Sequence, residues 1–391
     1  MREFNIVNRK FPIQDVIIIG AGTSGLTVAY HLLKRGIRPL IIDAASNIAS
    51  AWRFRHPQLS LNTHRLLSGL PGMPIPNSKG TFVSRNDYIA YLEAYANKLQ
   101  QEHQLEIVLN TKVKCIKSFN GVWSLTSDKN HFSTSNLIIA TGPDKEPYLP
   151  LWRGMHNYEG TIKHVANFGD IEQYDDKDIL IIGGANSGID AANHLVRRAR
   201  YASLTISMRN GCHLMPTYVV GIPSQLLGPV LAKLPIGFQD KLARLFSDLC
   251  FGDLTQYGIK TPDLGLASRM LKSGVAPGFD NGFVKALKLG KVKIAPEIDK
   301  FTTSKVLFKE TEHIVSQDKQ PRYFDHVICA TGYQKGLDQL LPSACLNDDG
   351  SNHDIPGIYL FGMKAKIQGS IYARLNEAEK LAERIAASTV T

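Results

Sequence analysis

Residues 15–25 read DVIIIGAGTSG, and residues 178–188 repeat the pattern as DILIIGGANSG. In each copy a β-branched run leads into a glycine-rich turn. Helical spacing follows, LTVAYHLLKRG in the first copy and IDAANHLVRRA in the second. The β-branched run is that of a strand buried on both faces of a parallel sheet. Gly36 closes the first helical stretch in the manner of a helix C-terminal glycine. A chain that makes this unit twice is held to an α/β fold with two parallel-sheet layers.

Each glycine has a mechanical role. Gly20 permits the tight turn, Gly22 lets backbone approach a pyrophosphate, and Gly25 allows the helix to lie close on the strand. The helix N-terminus then offers free N–H groups and the positive end of its dipole to phosphate. The next strand, RPLIID, ends at Asp43, 18 residues past Gly25, where a carboxylate can accept bonds from ribose hydroxyls. Such an acid repels a 2′-phosphate, so the first unit suits FAD or NAD rather than NADP. In the second unit Gly183 and Gly188 keep the outer positions and Ala185 takes the middle one. Its following strand, SLTISM, runs into RNG, placing Arg209 where the first unit has its acid. A guanidinium there fits a 2′-phosphate through forked, charge-assisted bonds; a solvated strand-end cation is the plainer alternative. Two Rossmann-like units imply electron transfer from NADPH to FAD, with FAD on the N-terminal motif as is usual in two-dinucleotide flavoproteins.

The 391 residues allow two or three domains, and 43% hydrophobic with 20% charged residues is ordinary globular composition. The formal charge of +10 is compatible with nucleic acid, an anionic membrane or anionic small molecules. The basic residues are dispersed and form no nucleic-acid module, which leaves a basic surface that attracts phosphorylated cofactors and argues against a nucleic-acid partner. Five scattered cysteines (115, 212, 250, 329, 345) without a C-x-x-C disfavour a metal centre or a redox dithiol and fit a reducing, cytoplasmic compartment. The N-terminal residues lack the apolar core of a signal peptide, and no run approaches the length of a transmembrane helix.

IIATG at 138–142 and VICATGY at 327–333 are apolar strands ending in Thr-Gly turns. Their recurrence predicts a second unit, residues 151–335, inserted into a discontinuous first one, residues 1–150 plus 336–391. Ala140, Thr141 and Gly142, with Ala330, Thr331 and Gly332, are the corresponding candidate cofactor contacts. IYLFG at 358–362 is expected to complete the first sheet, with Gly362 at the FAD. The last helix, beginning in QGSIYARL, offers its N-terminal amides to the flavin. Residues 213–290 form an irregular helical insertion: a substrate-channel cover, a dimer contact, a peripheral membrane contact or plain core packing.

Between the two units, YEGTIKHVANF at 158–168 resembles the F-x-G-x-x-x-H-x-x-x-(Y/F) fingerprint of class B flavin-dependent monooxygenases, with Tyr158 in place of Phe. Phe168 at the final position resembles the flavin-containing and YUCCA-like branches, since Baeyer–Villiger members usually carry Trp there. NSGIDAANHL, CATGY and LSLNTHRLLSGLPGMPIP resemble further family stretches, and together they cover nearly the whole chain. The resemblance implies that Asn62 lies at the reactive face of the flavin, its amide bonding the flavin hydroperoxide or the NADP+ that protects it. It implies nicotinamide-nucleotide contacts at Leu61, Ser187 and Asp190, and a flavin contact at Trp52, although Ser50-Ala51 replaces the usual glycine pair. Ser24, Val113 and Gln368 complete the expected cofactor contacts. His164 and Gly160 are expected to shape the linker between units.

The implied activity is NADPH- and O2-dependent transfer of one oxygen atom to a soft nucleophile, an amine or sulfide, in the manner of N,N-dimethylaniline oxygenation. Oxygenation of a ketone or 2-oxo acid carbonyl is the nearest alternative, and GDLTQYGIKTPDLG at 252–265 resembles a stretch of that branch. A FAD- and NADP(H)-binding redox sensor that oxygenates nothing is a reading of another class.

Overall fold

Ile17, Ile18 and Ile19 pair in parallel with Leu40, Ile41 and Ile42 on one side and with Leu137, Ile138 and Ile139 on the other. Nearly all nine side chains are fully buried, so the unbroken apolar run of the first strand answers to cover on both faces rather than one. The computed structural model describes residues 9–10, 13–310, 320–338, 340–341 and 355–389. Its first sheet has the parallel order Glu106–Val108, Leu40–Ile42, Gln14–Ile19, Asn130–Ile139, and continues antiparallel through Val122–Ser127 and Val113–Phe119. Asn130–Ile139 serves both halves. Residues 131–134 pair with the antiparallel hairpin, while 137–139 lie between the first strand and Ile358–Leu360. The IYLFG segment therefore enters the first sheet from far along the chain. Helices Thr23–Leu33 and Ser370–Thr389 pack together on one face of this sheet, and Arg85–His103 packs on the first of them.

The second sheet is wholly parallel, in the order Val292–Ala295, Ser203–Ser207, Asp178–Ile182, His326–Cys329, Thr161–His164. The two fingerprint regions meet here, because residues 161–164 form the edge strand beside the strand that ends in the second Thr-Gly turn. Helix Asn186–Arg198 covers one face with buried Ile189, Ala191, Ala192 and Leu195.

Residues 213–290 connect two adjacent strands of this sheet, Ser203–Ser207 and Val292–Ala295. Core packing accounts for Cys212, Leu214, Ile259 and Phe283. It does not describe helix Ile236–Phe251, which buries only Gln239 and Phe251 and leaves Leu249 74% exposed. No helix among the described residues is long and apolar enough to cross a membrane. The four described cysteines are free, and burial pushes the Cys212 and Cys329 thiols up to about 12; Cys345 lies outside the described residues.

The two glycine-rich turns are geometric copies. Gly20 has φ of 116° and Gly183 of 120°, left-handed values that strain any side chain. A Cβ on Gly25 would overlap the carbonyl oxygen of Gly20, and one on Gly188 the carbonyl oxygen of Gly183. By contrast, a Cβ on Gly22 meets no atom within 4 Å. That is why Ala185 is accommodated at the equivalent position. Gly25→Ala or Gly188→Ala should therefore exceed the cost of ordinary overpacking, about 1–3 kcal/mol, and lower the Tm by roughly 6 °C or more. Gly22→Ala should leave the Tm of the unliganded protein within about 2 °C of wild type. Equal melting of all three variants would refute this account.

Candidate active site between the two nucleotide turns

A cavity of about 1170 Å³ lies between the two units. Its wall takes Gly22 and Ser24 from the first glycine-rich turn and Gly183, Ala185 and Ser187 from the second. Both Thr-Gly turns contribute, through Ala140, Thr141 and Gly142 and through Ala330, Thr331 and Gly332. Trp52, Leu61, Asn62, Asp190 and Arg209 also line it. The structure thus gathers residues from six separate chain segments around one space.

Asn62 spans that space. Its Nδ2 donates to Oδ1 of Asn186 at 2.8 Å, and Asn186 is the first residue of the second nucleotide helix. Leu61 is 4% exposed, and its backbone N–H donates to the Val83 carbonyl, which fixes the loop carrying Asn62. Trp52 Nε1 donates to Thr23 Oγ1 at 3.4 Å, and its ring meets Tyr88 edge-on at 4.9 Å. Arg209 is 70% exposed, with Glu297 Oε1 at 3.8 Å from its Nη1.

The remaining expected residues lie outside the wall. Gly20, Gly25 and Gly188 sit beneath it in the strand–helix contacts. Asp43 is engaged by the first turn itself: Ala21 N donates to its Oδ2 at 2.6 Å and Ala45 N to its Oδ1 at 2.8 Å. Gly362 packs on Ser24 and Arg374, leaving no room for a Cβ. Val113 is buried at the start of the antiparallel hairpin, and Gln368 is half-buried just before the last helix.

Three features fit phosphorylated cofactors. Helices Thr23–Leu33 and Asn186–Arg198 both begin without a side-chain cap and without an acid in the first turn, so their N-terminal amides are available to anions. Gly22 lines the cavity with open space around its Cα, which leaves its backbone accessible to a pyrophosphate. Arg374, also on the wall, donates through Nη2 to the Gly362 carbonyl at 2.9 Å, while its buried Nε has no protein partner. Burial lowers the pKa of Arg374, and Tyr88, Glu377 and Asp144 raise it.

The 158–168 stretch is fastened chiefly within the second unit and touches the first through Phe168. Tyr158 Oη donates to the Phe324 carbonyl at 2.9 Å and accepts from Phe324 N at 2.8 Å. Gly160 is held so closely against that carbonyl and the Tyr158 ring that a Cβ would clash with both. His164 Nδ1 accepts from Ala166 N at 3.1 Å, which leaves Nε2 to carry the proton and donate to the Gly332 carbonyl at 2.9 Å. Burial lowers its pKa. With both nitrogens engaged, this imidazole is a neutral clasp on the second Thr-Gly turn. Phe168 is fully buried, stacked on Tyr174 at 4.8 Å and edge-on to His56 at 5.2 Å.

Besides Arg374, sequence reasoning missed Arg55 and His56 on the wall. Arg55 bonds the Tyr333 hydroxyl, stacks over that ring at 4.5 Å and reaches Asp144 Oδ2 at 3.1 Å, tying the 50–60 loop to both Thr-Gly turns. His56 approaches Asp190 and His194. No local pattern marks Arg55 or His56. Asp190 and His194 do carry a signal, the i, i+4 spacing that puts both on one helix face. GDLTQYGIKTPDLG lies on the nucleotide side: His213 Nε2 bonds the Leu264 carbonyl at 2.8 Å, and the Lys260 carbonyl packs directly on Gly211, leaving no room for a Cβ.

Burial holds His31, His164 and His326 below their ordinary 6.5. The unfolded chain binds these protons more readily, so their contribution to stability is present above pH 6.5 and is lost as pH falls toward the lowered folded-state values. The Tm should therefore be flat from pH 8 to 7 and fall from about pH 6.5 toward 5, with a shallower fall in His164→Gln than in wild type. Parallel profiles for the two proteins would remove His164 from this balance.

The chain matches the pyridine nucleotide-disulphide oxidoreductase family model over residues 17–212. It is 30% identical over 343 residues, 86% of this chain and 80% of the relative, to the probable indole-3-pyruvate monooxygenase YUCCA1 of Arabidopsis thaliana. Among solved structures, a flavin-containing monooxygenase from Stenotrophomonas maltophilia superposes with a TM-score of 0.71 at 20% identity, covering 97% of this chain and all of that one. The OTEMO complex with FAD and NADP superposes with a TM-score of 0.65 at 16% identity, covering 97% of this chain and 86% of that one. With the length of these matches and a wall drawn from two glycine-rich turns that face each other, the chain belongs to the class B flavin-dependent monooxygenase family.

Proposed function

We propose that the chain holds FAD at the first glycine-rich turn and NADP(H) at the second, and uses NADPH and O2 to oxygenate the carbonyl of a 2-oxo acid. The observation that carries the cofactor reading is the 2.8 Å bond from Asn62 to Asn186, which joins the expected flavin-side loop to the N-terminus of the second nucleotide helix. The carbonyl reading draws its support from the Arabidopsis relative, named for indole-3-pyruvate. Oxygenation of amines or sulfides is the competing reading, and the wall geometry favours neither.

Bound FAD supplies hydride acceptance and O2 activation; the chain's residues hold, orient and shield. The first turn and the Thr23–Leu33 helix bind the FAD pyrophosphate, with Asp43 bracing that turn through Ala21 N and keeping spare lone pairs for the ribose. Ser187 and the Asn186–Arg198 helix bind the NADP phosphates, with Arg209 at the 2′-phosphate. Asn62 offers its amide to the reacting face, and Trp52 and Leu61 keep that wall apolar and exclude water. No general acid or base is assigned, and His164 is committed to its clasp. The overall balance is 2-oxo acid, O2, NADPH and a proton giving the carboxylic acid one carbon shorter, CO2, NADP+ and water.

Purified protein supplied with NADPH and indole-3-pyruvate should release one CO2 and form one shortened acid per NADPH oxidised, while thioanisole and dimethylaniline remain unconverted. Sulfoxide or N-oxide formed in preference would return the function to soft-nucleophile oxygenation. Hydrogen peroxide as sole product with every substrate would rule out oxygenation altogether. For the second nucleotide, Arg209→Ala should raise the KM for NADPH about tenfold, the worth of a partly solvated charge-assisted contact, and leave the KM for NADH unchanged. Unchanged NADPH kinetics would clear Arg209 of the role.

A further inference from the structure

His56, Asp190 and His194 form a cluster that the proposed reaction leaves without a task. Asp190 and His194 stand one turn apart on helix Asn186–Arg198 of the second unit, and His56 reaches them from the 50–60 loop of the first. His56 is 6% exposed. Its Nε2 lies 3.6 Å from Asp190 Oδ2, and His194 Nε2 lies 3.7 Å from the same oxygen. The three donor atoms all lie within 4.8 Å of one another.

Both separations are too long for hydrogen bonds. They are close to the edge of a metal coordination polyhedron: bonds of about 2.0–2.2 Å at tetrahedral angles place neighbouring donors about 3.4 Å apart. A sub-ångström inward shift of the rings would close the remaining gap. Two imidazoles and one carboxylate are a donor set suited to zinc and its neighbours in the first transition row. The rings meet edge to face at 5.1 Å, and Phe168 packs on His56 at 5.2 Å, giving the cluster an apolar backing that restricts ring rotation. His56 and Asp190 also line the cavity, so a further coordination position faces the interior where water can reach. Arg197 and Arg198 follow on the same helix but point into solvent exposure, where their repulsion of a cation is screened.

We propose that His56, Asp190 and His194 bind one divalent ion of the zinc type, and that the ion cross-links the 50–60 loop to the second nucleotide helix. The site uses no cysteine: its ligands come from residues 134 or more positions apart and are joined only by the fold. The ion would fasten the two units next to Asn62 and Asn186, making the seam a structural joint rather than a redox centre.

The test uses flavin-loaded enzyme dialysed against a chelator and titrated with ZnCl2 in competition with a chromogenic zinc chelator. One ion per chain at a micromolar or lower Kd is expected, together with a higher Tm. His56→Gln and His194→Gln should each weaken binding at least 100-fold, since even an outer-shell change commonly costs about 10–100-fold. His131→Gln, on an exposed strand position, should leave it unchanged. Less than a tenth of an equivalent bound by wild type would overturn the proposal, as would several weak ions whose binding survives both substitutions. The wild-type stoichiometry decides the matter even if a variant fails to fold.

Discussion

The contact on which the rest of the structure depends is the approach of Gly25 to the Gly20 carbonyl, and of Gly188 to the Gly183 carbonyl. No residue with a Cβ allows it. It sets each helix down at the end of its strand with the first-turn amides facing the turn. The helix starts so placed are uncapped and free of acids, and the cavity opens between them. The Thr-Gly turns close the same opening from the neighbouring strands, because Asn130–Ile139 and His326–Cys329 pair directly with the two glycine-turn strands.

The seam between the units is held by many small terms. A neutral bond such as Asn62 to Asn186 is worth about 1 kcal/mol net, too little to fix two sheets by itself. Tyr158 to Phe324 and His164 to Gly332 brace the second unit itself, and the fingerprint stretch meets the first unit through fully buried Phe168, edge-on to His56 at 5.2 Å. Removal of such a buried ring typically costs about 3–5 kcal/mol. Arg55 adds a third connection through Tyr333 and Asp144. The stretch therefore holds the second Thr-Gly turn and sets Phe168 against the loop of the first unit.

Much of this arrangement was legible in the sequence because it is written locally. Strand, turn and helix lie within 20 residues, and each glycine has a backbone reason that can be stated without a structure. The return of IYLFG to the first sheet could be inferred because the run is apolar and β-branched at its start. Other features depend on the tertiary fold. Asp43 reads as a free ribose acceptor, yet two backbone amides already hold it. His56 and Arg55 carry no spacing signal, since their partners are brought to them by chain crossings of 134 residues in the first case and 278 in the second. Residues 252–265 resemble a stretch of the 2-oxo-acid branch, and in the fold they brace the Arg209–Gly211 turn.

The uneven legibility has a structural cause. Ser203–Ser207 and Val292–Ala295 keep their parallel register through four ladder pairs, whatever chain runs between them. That crossover is free to carry an exposed helix at 236–251 and, farther on, to lay residues 269–276 along the cavity. The two glycine-rich turns, by contrast, have no room for a methyl group at Gly25 or Gly188. The connection thus divides its residues between the core, through Leu214, Ile259 and Phe283, and the cavity wall, through residues 269–276.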